Sequence, residues 1–234
     1  MKIKVVNLIL IMLVLASTLV AMAFLPDVVP VHFDIHGEAD RWGSKYELLI
    51  IPAVLSLIWI IGDKSITFFV KNSGNSVDGK LKSDAVSNEK TLDKTLTITY
   101  AIMAVVNLSL IYMTFSNLDN STLPEIDVIK IIIMLMGLMF IGLGNLMPKT
   151  RINAVLGFRL PWTSYNDNTW RKSNLFAGVT SMITGALLVV FGLIFEGIVA
   201  AIIMIGLMIL SSIIMTVYAY LLYKKEKGND VSEK

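Results

Sequence analysis

The apolar residues of this chain fall into long blocks separated by polar segments. Crossing the roughly 30 Å hydrocarbon core of a bilayer takes about 20 mostly apolar residues in a helix that rises roughly 1.5 Å per residue. Six blocks reach that length: 5–25, 48–69, 95–115, 128–147, 174–195 and 198–222. The pattern predicts an all-α integral membrane protein with six transmembrane helices and a short extended extracytoplasmic loop.

Composition supports a membrane protein and removes several kinds of chemistry. Hydrophobic residues make up 55% of the 234, above the usual share for a soluble domain. The absence of cysteine excludes disulfides, thiol catalysis and cysteine-bound metal centres. The middles of the six blocks hold no ionisable side chain, which argues against an ion-coupled transporter. Their small and polar residues indicate close helix packing and hydrogen bonding between helices. These residues are Asn107, Ser109, Ser181, Thr184, Ser211, Ser212, Gly137, Gly142, Gly144 and Gly185.

The basic residues are divided unequally between the two sides of the predicted membrane. Seventeen Lys and Arg residues fall on the side of the termini and of segments 70–94 and 148–173, and only Arg41, Lys45 and Lys130 fall on the other. By the positive-inside rule, both termini are cytoplasmic in a bacterial cell membrane, and residues 26–47 face outward.

The first block also resembles a signal sequence, because it has a basic start and contains Ala21-Met22-Ala23. Its apolar stretch is long for a signal peptide and five further spans follow, so we expect an uncleaved signal-anchor helix, with cleavage as the alternative. Both alternatives leave residues 26–47 outside.

Four segments follow from this topology. We expect an N-terminal helical hairpin with its outer loop at 1–70 and a solvated cytoplasmic connector, at most partly helical, at 71–94. A middle helical hairpin at 95–147 and a C-terminal region at 148–234, with an inner loop and the last two helices, complete the chain.

The outer loop contains both histidines of the protein and alternates apolar with polar residues over 29–36. Period-two alternation with β-branched residues and Pro30 predicts an extended, edge-type segment. His32 and His36 would then lie about 13 Å apart, too far to share one metal ion comfortably. Phe33 also stands where a helical metalloprotease motif requires Glu. We therefore expect no metal or other cofactor.

Two interpretations of the outer loop remain open. It is an ordered polar cap over the helices, in which Arg41 and Lys45 meet Asp34, Glu38 or Asp40, or it is a surface that recognises a ligand. Extracytoplasmic pH sensing by the histidines is a further hypothesis. The candidate ligand-binding residues are His32, Asp34, His36, Gly37, Asp40 and Lys45.

The inner loop, 148–174, mixes five basic residues with four aromatic ones. This combination is typical of a membrane-interface anchor, and docking of a cytoplasmic protein is the functional alternative. Direct nucleic-acid binding is not expected from basic residues pressed against lipid. Ser164-x-x-Asp167 predicts the start of the fifth helix.

The two loops together resemble known sequences. "LPDVVPVHFDIHGEADRWGSK" resembles an N-terminal module of unknown function found in many bacterial membrane proteins, with matches at Pro30, His32, Gly37, Asp40, Gly43 and Lys45. "INAVLGFRLPWTSYNDNTWRKSN" resembles the signature of the SdpI family of membrane immunity proteins. The matching residues, taken as partner-docking or structural, are Asn153, Gly157, Arg159, Pro161, Trp162, Thr163, Asn166 and Trp170.

The resemblance implies a non-enzymatic protein that protects its cell from a secreted toxin peptide. In the best-known case it also implies signalling, in which the toxin-engaged protein sequesters a cytoplasmic autorepressor at the membrane. A small-solute transporter is the alternative from another class. A membrane metalloenzyme using His32, His36 and nearby acids is a third hypothesis.

Overall fold

Helices dominate the computed structural model, which describes residues 2–34, 36–74, 79–118, 127–153 and 155–232. Six helices are long and apolar enough to cross a membrane, as the sequence predicts. They are α1 (Lys2–Phe24), α2 (Ile50–Gly74), α3 (Gly79–Ser116), α4 (Val128–Leu146), α5 (Asp167–Ile194) and α6 (Gly197–Ser232). The chain is therefore a mostly helical membrane protein.

The expected connector at 71–94 is largely helical. Its first four residues belong to α2 and residues 79–94 form the first turns of α3, while 75–78 lie outside the described residues. A run of about 20 apolar residues marks only the part of a helix that can lie in lipid. Helix-forming Lys, Leu, Ala and Glu residues carry α3 beyond that part.

The outer loop forms a two-stranded antiparallel hairpin rather than a single extended segment. Strand β1 (Val28–Phe33) covers most of the predicted extended stretch, and β2 (Ala39–Ser44) pairs with it. The pairing is irregular around His32. Ile35, which the alternation placed on the apolar face, lies outside the described residues. Because β2 contains glycine, charges and only one β-forming aromatic, its sequence alone does not indicate a strand.

Successive helices run in opposite directions, so segments that are far apart in the sequence meet at each end of the bundle. At one end, the hairpin end, the Asn117 side chain beyond α3 accepts a hydrogen bond from the Ala39 backbone N–H at 3.1 Å. At the other, the basic end, the Arg151 backbone N–H donates to Asn88 Oδ1 on α3 at 2.9 Å. Helix α3 therefore contacts both loops that the sequence singles out.

Buried amides and hydroxyls join α1 to α3. Asn107 Nδ2 on α3 lies within 3.4 Å of Ser17 Oγ and 3.2 Å of Thr18 Oγ1 on α1. Two to three turns toward the basic end, Thr97 Oγ1 donates to Asn7 Oδ1 at 2.6 Å. Because hydrocarbon offers no competing water, these bonds fix the register of the two helices. The expected hydrogen bonding between helices is confirmed for Asn107.

Glycines bring α4 and α5 into backbone contact at two levels. A Cβ added to Gly137 would lie 2.6 Å from the Gly185 carbonyl oxygen, and one added to Gly144 would lie 2.7 Å from the Gly178 carbonyl oxygen. The pairs are reciprocal and seven residues apart on each antiparallel helix. A Cβ added to Gly142 would lie 3.1 Å from Ile98 Cδ1 of α3. The predicted packing role of these glycines is confirmed.

Gly185→Ala should destabilise the protein by about 1–3 kcal/mol, because its methyl group would collide with the Gly137 carbonyl and overpack the contact. The matched control is Gly206→Ala on α6, where nothing lies within 4 Å. Thermal unfolding in detergent, followed by fluorescence-detected size exclusion, should show a loss for Gly185→Ala alone. Equal behaviour of the two variants would contradict the glycine contact.

Candidate functional site: the hairpin and the basic loop

Asp34 organises the turn between the two strands. Its carboxylate accepts hydrogen bonds from the backbone N–H groups of His36 at 2.8 Å and Glu38 at 3.0 Å. Gly37 takes a positive φ of 82°, a conformation that favours glycine. Its carbonyl accepts from Asn117 Nδ2 at 3.2 Å. Asp34 and Gly37 therefore shape the turn and attach it to the end of α3.

His32 and Asp40 form an exposed polar pair on the outside of the hairpin. His32 Nδ1 lies 2.6 Å from Asp40 Oδ1, and their side chains are 64% and 46% exposed. His36 is also exposed but belongs to the turn rather than to β1. Over the part of the chain that the structure describes, no three His, Asp or Glu side chains are grouped to hold a metal ion. The pair offers a hydrogen-bonding surface.

Lys45 anchors the base of the hairpin. Its Nζ donates to the Leu25 carbonyl at 3.3 Å and lies 3.1 Å from Asp27 Oδ1, and only 19% of its side chain is exposed. Lys45, a candidate ligand-binding residue, therefore serves to attach the base of the hairpin to the end of α1.

The predicted ion-pair partners within this loop are wrong. Arg41 NH2 pairs with Glu47 Oε2 at 2.9 Å, and Lys45 pairs with Asp27. The expected partners were Asp34, Glu38 or Asp40. The antiparallel hairpin explains the difference, because its turn at 34–38 carries Asp34 and Glu38 away from the base, and Asp40 on β2 contacts His32 instead.

Hydrogen bonding lowers the pKa of Asp34 below its usual 3.8. The first cause is the bond from the Glu38 backbone N–H, and the His36 N–H and the nearby His36 ring add to it. A depressed folded-state pKa favours the folded turn above the unfolded pKa, and this contribution disappears as pH falls through the folded value.

The turn should therefore keep its structure at neutral pH and loosen only below pH 3.8. Amide hydrogen exchange of His36 and Glu38, corrected for intrinsic rates, should show protection that is lost in acid. Asp34→Asn should reduce this protection at neutral pH and flatten its pH dependence. A variant with unchanged protection and the same acid transition would refute the role of Asp34.

At the basic end, Trp170 and Asn174 of α5 hold the preceding segment, residues 148–166 and called the basic loop below, against that helix. The Trp170 ring is 2% exposed, and its Nε1 donates to the Thr150 carbonyl at 3.0 Å. Asn174 Oδ1 accepts from the Phe158 backbone N–H at 2.7 Å. Gly157, with φ 93°, leaves room for Asn174, because a Cβ there would lie 2.5 Å from Asn174 Oδ1.

Asn153 shapes the preceding turn. Its Oδ1 accepts from the backbone N–H groups of Val155 and Leu156 at 2.7 and 2.6 Å. Its Nδ2 donates to the Arg151 carbonyl at 2.6 Å. Asn153 therefore supports the loop backbone locally.

The fifth helix begins two residues later than Ser164-x-x-Asp167 predicts. Asn166 is the N-cap: its Oδ1 accepts from the Thr169 backbone N–H at 2.8 Å, and Thr169 Oγ1 accepts in return from the Asn166 N–H at 3.0 Å. Buried Thr163 stabilises the turn before the cap, accepting from the Leu160 N–H at 3.0 Å. Asn166-x-x-Thr169 forms a reciprocal capping box in which Thr169 stands at N3 in place of the usual Glu or Gln.

The remaining candidates of the basic loop lie nearer its surface. Arg159 and Pro161 are exposed, and Trp162 is half-buried with its ring edge-on to Tyr220 of α6, centroids 5.8 Å apart. Trp170 is buried within the protein rather than displayed on its surface. The sequence did not single out Thr150, Thr169 or Asn174. The Thr150 carbonyl accepts a hydrogen bond from the Trp170 ring, whereas Thr169 and Asn174 accept from the backbone N–H groups of Asn166 and Phe158. The sequence does contain a signal for Asn174, because an asparagine at the start of an apolar block needs a hydrogen-bonding partner.

Asn166→Ala should lower the free energy of unfolding by about 0.5–2 kcal/mol through loss of the cap, whereas exposed Ser164→Ala should have little effect. Chemical unfolding in detergent measures both variants side by side. A larger loss for Ser164→Ala would restore the start predicted from the sequence.

Comparison with known proteins matches both loops. Residues 8–55 match a domain of unknown function, DUF1648, and residues 149–219 match the SdpI/YfhL protein family. The SdpI/YfhL match covers less than a third of the chain. In the structure this region comprises the basic loop, α5 and most of α6, while the DUF1648 match comprises most of α1, the hairpin and the start of α2. The resemblance seen in the two motifs is confirmed.

The similarity to one relative extends over the whole chain. The immunity protein SdpI of Bacillus subtilis (strain 168) is 23% identical over 229 residues, which cover 98% of this chain and 100% of that protein. An uncharacterized protein of Archaeoglobus fulgidus is 51% identical over 51 residues, 22% of this chain and 28% of that protein. No solved structure matches the chain. Similarity to an immunity protein favours a membrane role that is not enzymatic.

Proposed function

We propose that this protein is an immunity protein of the bacterial cell membrane, which protects its cell from a secreted toxin peptide. The observation that carries the proposal is the end-to-end similarity to the immunity protein SdpI, which includes both loops and all six helices. Protection in this proposal depends on binding and involves no covalent step.

In this proposal the hairpin end faces outward, where a secreted peptide arrives. The positive-inside rule supports this orientation, because only three of the twenty Lys and Arg residues lie at the hairpin end. The exposed His32–Asp40 pair and the His36 side chain are the contact groups. Asp34, Gly37 and Lys45 act indirectly, because they hold the turn and the base of the hairpin.

The basic loop is the proposed cytoplasmic docking surface for an autorepressor. Arg159 and Pro161 are exposed there, and the edge-on Trp162–Tyr220 contact joins the loop to α6. Asn153, Gly157, Thr163, Asn166 and Trp170 instead maintain the shape of the loop. Signalling is therefore assigned to the first group and folding to the second.

Expression in a toxin-sensitive strain should protect it against a sporulation-delaying peptide toxin. His32→Gln and Asp40→Asn should each weaken protection without changing membrane insertion, because they alter exposed groups. Survival at graded peptide concentrations is the measurement, and Arg159→Gln is the control on the other side of the membrane. Unchanged killing despite correct insertion of the wild type would contradict the immunity function.

The same strains separate resistance from signalling. With a fluorescent autorepressor present, the peptide should recruit it to the membrane in the wild type, whereas Arg159→Gln should protect without full recruitment. Failure of wild-type recruitment would reject signalling and leave resistance intact.

A further inference from the structure

A cavity lies between the hairpin and the helices beneath it. Its volume is about 190 Å³, and its walls come from β1, the start of α2 and one face of α3. Most of the side chains that line it are apolar, including Val31, Phe33, Ile51, Leu110 and Ile111. The hairpin and the helices beneath it thus leave space that the protein does not fill.

The size and depth of the cavity suit one large side chain. An apolar cavity of about 150 Å³ is enough to take a benzene ring in another protein. On α3, Asn107, Leu110, Ile111 and Thr114 follow one another at helical spacing along the wall. From Thr114 to Asn107 the wall extends about 10 Å along the helix at 1.5 Å per residue. Asn107 gives the cavity a polar group at the end away from the hairpin.

The charge of the hairpin favours a cationic ligand. Arg41 and Glu47 line the cavity and pair at 2.9 Å, so the guanidinium is neutralised within the protein. Residues 26–47 contain five acids and two bases, a net charge of −3 with neutral histidines. The acids are Asp27, Asp34, Glu38, Asp40 and Glu47, and the bases are Arg41 and Lys45. A phosphate headgroup beside these carboxylates would be repelled, whereas Lys or Arg side chains would be attracted.

We propose that this cavity binds one large apolar or aromatic side chain of a cationic peptide, while the peptide's basic residues lie along the acidic hairpin. The inference rests on the proposed function in identifying that peptide with the toxin. It specifies where recognition occurs: the exposed hairpin attracts the peptide, and the cavity beneath it holds the anchoring side chain.

The binding test does not require the natural toxin. The full-length protein is placed in phosphatidylcholine nanodiscs and irradiated with a peptide that carries p-benzoylphenylalanine between lysines. Mass spectrometry should locate cross-links at Leu48, Ile51, Leu110 or Ile111. A probe with glutamates in place of the lysines should label these residues about ten-fold less, because the hairpin repels it.

Leu110→Trp fills the cavity from α3, and Leu108→Trp is the matched control on the same helix. Leu108 is 46% exposed and does not line the cavity. Cross-linking should fall about ten-fold in Leu110→Trp and stay near the wild-type level in Leu108→Trp, since only the former removes the space for the probe. Cross-linking of the wild type decides the inference even if Leu110→Trp fails to fold.

Protection assays with the same two variants separate this inference from the function. If the wild type protects and only Leu110→Trp loses protection despite normal insertion, both proposals are supported. If the inserted Leu110→Trp protein protects fully, the cavity inference is overturned and the immunity function stands. If the wild type fails to protect, the immunity function is overturned, and the cross-linking result alone decides whether the cavity binds cationic peptides.

Two cross-linking results would overturn the inference directly. One is labelling of the wild type only outside the cavity. The other is a co-purified lipid chain whose removal is needed before any labelling occurs, which would assign the cavity to lipid.

Discussion

Polar groups in the hydrocarbon core of a bilayer have no water to bind, so each needs a partner within the protein. Between α1 and α3 this constraint produces the contacts of Asn107 with Ser17 and Thr18. At the basic end, Asn174 lies at the start of the lipid-crossing part of α5 and binds loop backbone. Outside the hydrocarbon core, the Asn117 amide likewise binds backbone of the hairpin and attaches it to the end of α3.

The two motifs differ in sequence but are built in the same way. In the hairpin, Asp34 and Asn117 bind exposed backbone of the turn, and the exposed pair His32–Asp40 is left to face the surroundings. In the basic loop, Asn153 and Asn174 perform the corresponding task. Both motifs combine residues that fix a backbone with residues that the fixed backbone displays.

Much of the fold could be predicted from the sequence because lipid imposes a simple rule on length and hydropathy. The six helices follow from it, and so does the packing role of Gly137 and Gly185, since small residues allow backbones to approach. The rule does not apply outside lipid. It therefore missed the helical start of α3 and strand β2, whose stability comes from pairing with β1 and not from its own residues.

Residue roles in the candidate site were harder to predict, because they depend on tertiary partners. The sequence offered Lys45 acids of its own loop or a ligand as partners, but the Leu25 carbonyl and the Asp27 carboxylate just after α1 receive it instead. Trp170 reads as an interfacial anchor, but the Thr150 carbonyl gives its ring nitrogen a buried partner. Motif resemblance identified these positions without distinguishing those that support a surface from those that form it.

Helix α3 and the residue that follows it bind backbone at both ends of the bundle: the hairpin through Asn117, and the basic loop through Asn88. From Asn88 to Ser116, just before Asn117, its helix runs without interruption, a rise of about 42 Å at 1.5 Å per residue. Both loops are thus attached to a single continuous helix, so the length of α3 sets the distance between them.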